Sequence, residues 1–225
     1  MSRDVTSYRV NALMAVLNPL LPEKPRRILV VGCGSGEEAG ILARSYGAET
    51  IGIDLVTQFT LDHAQAAPAK LMEMDAREMR FEDASFDFIY SFHALEHIAG
   101  PERALAEMRR VLKPGGHYLI GTPNKARLIG YIGSGTSIWN KIHWNAADWS
   151  KRLTGQWRNE AGAHAGFTTR ELTGLCRAAF GAADDVSPGY YLALYARRAK
   201  QVRMLLQSGL APWLFPAIYV YGRRV

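Results

Sequence analysis

The sequence offers little to crosslink it, anchor it or load it with metal. Only two cysteines, Cys33 and Cys176, occur in 225 residues. Two thiols provide neither a disulfide framework nor a metal quartet, so a reducing cytoplasm is the expected setting. No His/Asp/Glu cluster has convincing ligand spacing, and no metal is expected. No run of eighteen uninterrupted apolar residues occurs, which argues against a membrane-spanning helix. Met1 to Arg9 carries Arg3, Asp4 and Arg9 without an apolar run, so no secretory signal is expected. There is no internal repeat and no low-complexity tract. Acids also run out: none follows Asp185. Residues 1–100 hold 9 Lys and Arg against 14 Asp and Glu, a balance of −5, whereas residues 101–225 hold 18 against 7, or +11. Such asymmetry suits a surface that meets phosphates, acidic substrates or anionic lipid, and equally a solvated basic face. The length suits one α/β domain with a substantial core.

What the sequence does have is a glycine bend. Ile28, Leu29, Val30 and Val31 form a continuous apolar run, the pattern of a strand buried on both faces. Gly32, Gly34 and Gly36 follow at every second position, with Cys33 between the first two, and then a helix begins. Glycine there permits a sharp turn and close approach of a ligand. A dinucleotide fingerprint puts its third glycine one place later, where this chain has Glu37. An acid at that helix start repels a pyrophosphate, so a ligand carrying its own cation is the better match. Eighteen residues past Gly36, the run Thr50–Ile53 ends in Asp54, with Leu55 beside it. A strand-end acid at this spacing accepts hydrogen bonds from ribose hydroxyls; capping a helix that starts near Thr57 is the other role open to it. Further strands are expected at Lys70–Met74, Phe86–Ser91 and His117–Gly121, with a helix from Pro101 to Leu112.

The succession Val-Gly-Cys-Gly-Ser-Gly, Ile-Asp-Leu, Met-Asp-Ala, Phe-Asp-Phe-Ile-Tyr-Ser, Leu-Glu-His, Leu-Lys-Pro-Gly-Gly resembles the class I S-adenosylmethionine-dependent methyltransferases across residues 26–124. It is most similar to the branch acting on small molecules and lipids. The resemblance implies S-adenosyl-L-methionine as cofactor, held by Gly32, Cys33, Gly34, Gly36, Asp54, Leu55 and Ser91. Asp75 and the backbone of Ala76 would reach the adenine. It implies that Glu96, at the Leu-Glu-His position, lines the active site beside His97; the plainer reading of His97 is a packed histidine at a helix start. It also implies a leader helix over the cofactor, which would bring Tyr8 near it.

Beyond the fifth strand the likeness fades. Residues 123–160 contain Trp139, Trp144, Trp149 and Trp157 interleaved with Lys and Arg. By the resemblance this is an insertion that caps the acceptor; rings among cations equally suit sugar stacking, a membrane interface, single-stranded nucleic acid or plain packing. His143 and His164 are candidates to take the proton of an acceptor hydroxyl. Thr168 and Glu171 form a capping box for a helix from Thr169. A sixth strand is expected over Val186–Tyr191, a basic helix over Leu192–Gln207, and a seventh strand over Ala217–Tyr221.

The expected architecture is α/β: a doubly wound, seven-stranded, mainly parallel sheet, its last strand antiparallel, with an insertion after strand five. One domain is expected, with a leader helix (1–25), a cofactor-binding half (26–122), a substrate cap (123–166) and C-terminal helices and edge strands (167–225). The expected activity is methyl transfer to a small-molecule or lipid-linked acceptor, foremost at oxygen, in the cytoplasm or peripheral to the inner face of a membrane. Nucleic acid is not the expected partner, and the oligomeric state is open. The rivals are an RNA methyltransferase, a nicotinamide-dependent oxidoreductase and a donor-binding or membrane-docked protein without catalysis.

Overall fold

The computed structural model describes residues 3–55, 68–130, 136–161 and 163–225. The helix expected near Thr57, and Gly133 and Gly135 of the insertion, lie outside them.

Five parallel strands carry the sheet: β1 (Arg27–Val31), β2 (Glu49–Asp54), β3 (Ala69–Glu73), β4 (Phe86–Phe92) and β5 (Leu112–Pro123). The edge strand β6 (Asp184–Asp185) and the antiparallel β7 (Ala217–Arg223) complete the order β3-β2-β1-β4-β5-β7-β6. Alternate residues supply the two faces, as a period of two requires. Ile28, Val30, Phe88, Tyr90 and Leu119 pack against α1 (Arg3–Leu17), α2 (Glu37–Tyr46) and the tyrosines of a later helix. Leu29, Val31, Ile89, Tyr118 and Ile120 pack against α3 (Pro101–Val111) and α5 (Thr169–Phe180), which flanks the insertion on its C-terminal side. The capping box of Thr168 and Glu171 is formed. The continuous apolar run of β1 therefore has a cause, since both of its faces are covered.

Two expectations fail towards the C-terminus. Val186–Tyr191 is not a strand: Ser187–Leu194 is helix α6, and only Asp184–Asp185 pairs with β7. Pro188 sits in its first turn, and the Asp185 carboxylate accepts from the Ser187 amide at 2.9 Å, so the start is capped locally. The buried Tyr190 and Tyr191 give the segment its strand-like composition. Nor is Leu192–Gln207 one helix. A break at Tyr195 leads through a short 3-10 turn into α7 (Ala199–Gln207), followed by α8 (Ala211–Leu214).

The insertion leaves and rejoins the sheet at one point. Asn124 and Phe167 form an isolated bridge, and a Cβ on Gly166 would stand 1.9 Å from the Pro123 carbonyl oxygen, so only glycine returns the chain this closely. Between them lies α4 (Ile138–Leu153), capped by the Ser137 hydroxyl and without a fully buried residue. Polar bonds fasten it: Arg152 donates to the carbonyls of Lys125 and Arg127, Trp149 to that of Leu128, and the Gly130 amide to Asn145.

Candidate active site

The carboxyl ends of β1, β2, β3 and β4 meet at one edge of the sheet, the place where open α/β folds bind ligands. A cleft of about 300 Å³ opens there. The amides of Gly32 and Cys33 donate to the Ile53 carbonyl and tie the glycine bend to β2. Gly32, at φ +73°, leaves no room for a side chain, because a Cβ would lie 2.1 Å from that of Ala94. Gly34, at φ +50°, has open space where its Cβ would stand. Its amide donates to Asp54 Oδ2 and that of Leu55 to Oδ1, both at 2.8 Å, so two backbone groups aim the carboxylate at the cleft mouth.

Of the residues assigned to the cofactor, Gly32, Gly34, Asp54, Leu55, Asp75 and Ala76 line the cleft. Cys33, Gly36 and Ser91 are not among its lining residues. The Cys33 side chain packs beside Gly52, and burial pushes its thiol up to about 12, so only its backbone is available for binding. Gly36 is buried against Leu71, and the Ser91 hydroxyl is buried without a hydrogen-bond partner among the described residues. Asp75 is gripped by Arg77 through contacts of 2.7 to 3.1 Å, and these bonds hold its carboxyl below the usual range.

His93 and His97 line the cleft as well, and Glu96 and His164 cluster behind them. Glu96 is fully buried, and neither of its oxygens has a hydrogen-bond partner among the described residues. Its Oε1 lies 3.4 Å from His93 Nδ1 and 3.8 Å from His97 Nε2. His97 Nε2 is in turn 3.3 Å from His164 Nδ1. Burial raises Glu96 to about 7, while burial and then the neighbouring His164 hold His97 below its ordinary value. His93 lines the cleft and is 46% exposed. Desolvation in the cleft, then the cations Arg9 and Arg127, hold its pKa below the ordinary histidine value. His93 and His164 both adopt positive φ, +54° and +48°, a conformation costly outside glycine and concentrated at functional sites. His143 stands exposed on α4, and no contact among the described residues joins it to the other three.

Sequence reasoning missed His93, although the spacing His93-x-x-Glu96-His97 was legible. It also missed Arg9, which pairs with Glu38 in the first turn of α2 and stacks on Phe92 at 4.4 Å. Glu38 accepts from the Tyr90 hydroxyl at 2.9 Å, and burial raises its carboxyl. The leader helix thus approaches the glycine bend through Arg9. Tyr8 bonds instead to the Leu194 carbonyl.

Residues 29–120 match the model of the methyltransferase domain family, over the strands and loops that build this cleft. Over those residues the chain has the methyltransferase domain that this family model describes. The ubiquinone biosynthesis O-methyltransferase of Paracidovorax citrulli is 35% identical to it over 139 residues, 56% of this chain and 58% of that protein. The 2-methyl-6-phytyl-1,4-hydroquinone methyltransferase of Synechocystis is 36% identical over 104 residues, 44% of this chain and 32% of that protein. Such alignments span 30% to 58% of the curated relatives' own length. Among solved structures, phosphoethanolamine N-methyltransferase 2 of Haemonchus contortus, in complex with S-adenosyl-L-methionine, superposes with a TM-score of 0.60 at 19% identity, over 95% of this chain and 52% of that one. The [4+2]-cyclase SpnF gives 0.58 at 20% identity, over 96% and 81%. At those identities the methyltransferase domain shares a fold with them, and the reaction must be argued from its own residues.

Proposed function

We propose that this methyltransferase domain transfers the methyl group of S-adenosyl-L-methionine to an oxygen of a small-molecule or lipid-linked acceptor, with peripheral contact to a membrane. The observation that carries the reading is the Asp54 carboxylate, oriented by the Gly34 and Leu55 amides across an open glycine bend. Those residues fit the donor: Asp54 accepts from ribose hydroxyls, Gly34 leaves space for close approach, and Ala76 lines the adenine end. Glu37, at the start of α2, disfavours a pyrophosphate and suits a ligand that brings a positive charge.

When bound, the donor supplies an electrophilic methyl on a sulfonium. The chain's own part is to position the acceptor, exclude water and hold the released proton. His97 lines the cleft and shares a 3.3 Å contact with His164, so a proton taken at His97 Nδ1 or His164 Nε2 is distributed over the pair. Ionised Glu96, 3.8 Å from His97, stabilises the resulting imidazolium. His143, exposed on α4, would reach an acceptor only with movement of the cap.

The test is incubation with methyl-labelled donor and a panel of catechols, hydroquinones and amines. Label in an ether product is expected. Label confined to amines overturns the oxygen assignment, and tight nicotinamide dinucleotide binding without donor binding overturns the whole reading.

A further inference from the structure

Helix α4 is amphipathic, and its apolar side is exposed among the described residues. Ile138, Trp139, Ile142 and Leu153 are 65%, 76%, 53% and 84% exposed. Ile138, Ile142 and Trp149 recur at helical spacing and form, with Leu128 and Ile129, an apolar groove of about 510 Å³. The patch continues into a segment distant in sequence. The Leu128 amide donates to the Trp213 carbonyl at 2.7 Å, which brings α8 beside the groove. Trp213 itself is 48% exposed, Leu210 52% and Met204 60%. A monomer rarely exposes this much contiguous apolar surface without a partner.

Charge identifies the partner. Lys141 and Lys151 lie on α4, whose only acid, Asp148, pairs with Arg127. Lys200 and Arg203 stand exposed on α7, in a stretch without any acid from residue 186 to the end of the sequence. A two-fold dimer would set this surface against itself and bring like charges together. An anionic bilayer surface meets both features at once, with tryptophans seated at headgroup depth and cations at the lipid phosphates.

We propose that α4, the 128–130 loop and the 204–213 segment form a docking face for an anionic lipid surface. This names the face and lipid charge for the membrane contact put forward above. It does not depend on the methyl-transfer chemistry. Trp139 and Leu153 would insert among the headgroups, while Lys141 and Lys151 set the preference for negative lipid.

Flotation of the full chain with vesicles of phosphatidylcholine alone, and of phosphatidylcholine mixed with phosphatidylglycerol, tests it. The protein is expected to float with the mixed vesicles at low salt and to sink at high salt. The Trp139→Ser/Leu153→Ser double variant should lose about tenfold in vesicle partitioning, as should Lys141→Glu/Lys151→Glu. All four side chains are exposed or partly so, and thermal melts matching the parent exclude misfolding as the cause. Asp54→Ala, which disables the cleft, should float like the parent, separating this proposal from the methyltransferase reading. Failure to float with anionic vesicles overturns the proposal. So does equal flotation of the double variants, or a stable dimer that Trp139→Ser/Leu153→Ser dissociates.

Discussion

Replacing Glu96 with glutamine should make the protein more stable at alkaline pH and leave it nearly unchanged under acid conditions. The carboxyl is fully buried, has no hydrogen-bond partner among the described residues, and is raised from 4.5 to about 7. A raised carboxyl binds its proton more tightly in the folded than in the unfolded chain, so stability falls as pH climbs from the unfolded value towards the folded one. At 1.36 kcal/mol per unit, ionisation costs about 3 kcal/mol once pH exceeds both values, and about 2.5 kcal/mol of that accrues between roughly pH 5 and 8. Glutamine has nearly the same shape and no charge, so the variant lacks this slope. The assay is urea unfolding of both proteins at the two pH values, read as a double difference, which cancels any pH-independent packing cost. At this chain length, about 2.5 kcal/mol corresponds to a melting-temperature gap on the order of 5–10 °C. A gap that does not change with pH would refute the reasoning and mean that Glu96 finds partners in solution that the structure lacks.

Two further outcomes follow from the same wall of the cleft. With an acceptor in hand, kcat/KM should rise with pH and level off as the Glu96 and His97 pair loses its proton. Glu96→Gln should move that limb to lower pH, because the anion favouring the imidazolium is gone; a shift the other way counts against His97 as proton holder. Gly32→Ala should destabilise by about 2 kcal/mol or more, since it combines positive φ with a Cβ 2.1 Å from that of Ala94. A thermal melt unchanged from the parent would contradict the close approach of the two loops.

Most of the cofactor half was legible because its signals are local. An apolar run covered on both faces, glycines at alternate positions and an acid at the next strand's end each fix a backbone feature within a few residues. The Thr168 capping box was readable for the same reason. The pairing of Arg9 with Glu38 joins residues 29 apart, and nothing along the chain announces it. The α6 segment misled because tyrosines buried against the sheet have strand-like composition, whereas its start is decided by Asp185, Ser187 and Pro188. Among the candidate bases, letters alone did not distinguish His143 from His164. The Gly166 return against Pro123 brings the second to His97, while α4 holds the first in solvent.

The central claim is that the glycine bend and Asp54 hold the methyl donor. Calorimetric titration of S-adenosylhomocysteine into the parent chain and into Asp54→Ala tests it most directly. Saturable binding by the parent is expected, weakened in the variant by about 1–3 kcal/mol, the cost of leaving hydroxyl partners unpaired. Equal affinity of the two proteins, or no binding by either, would contradict it.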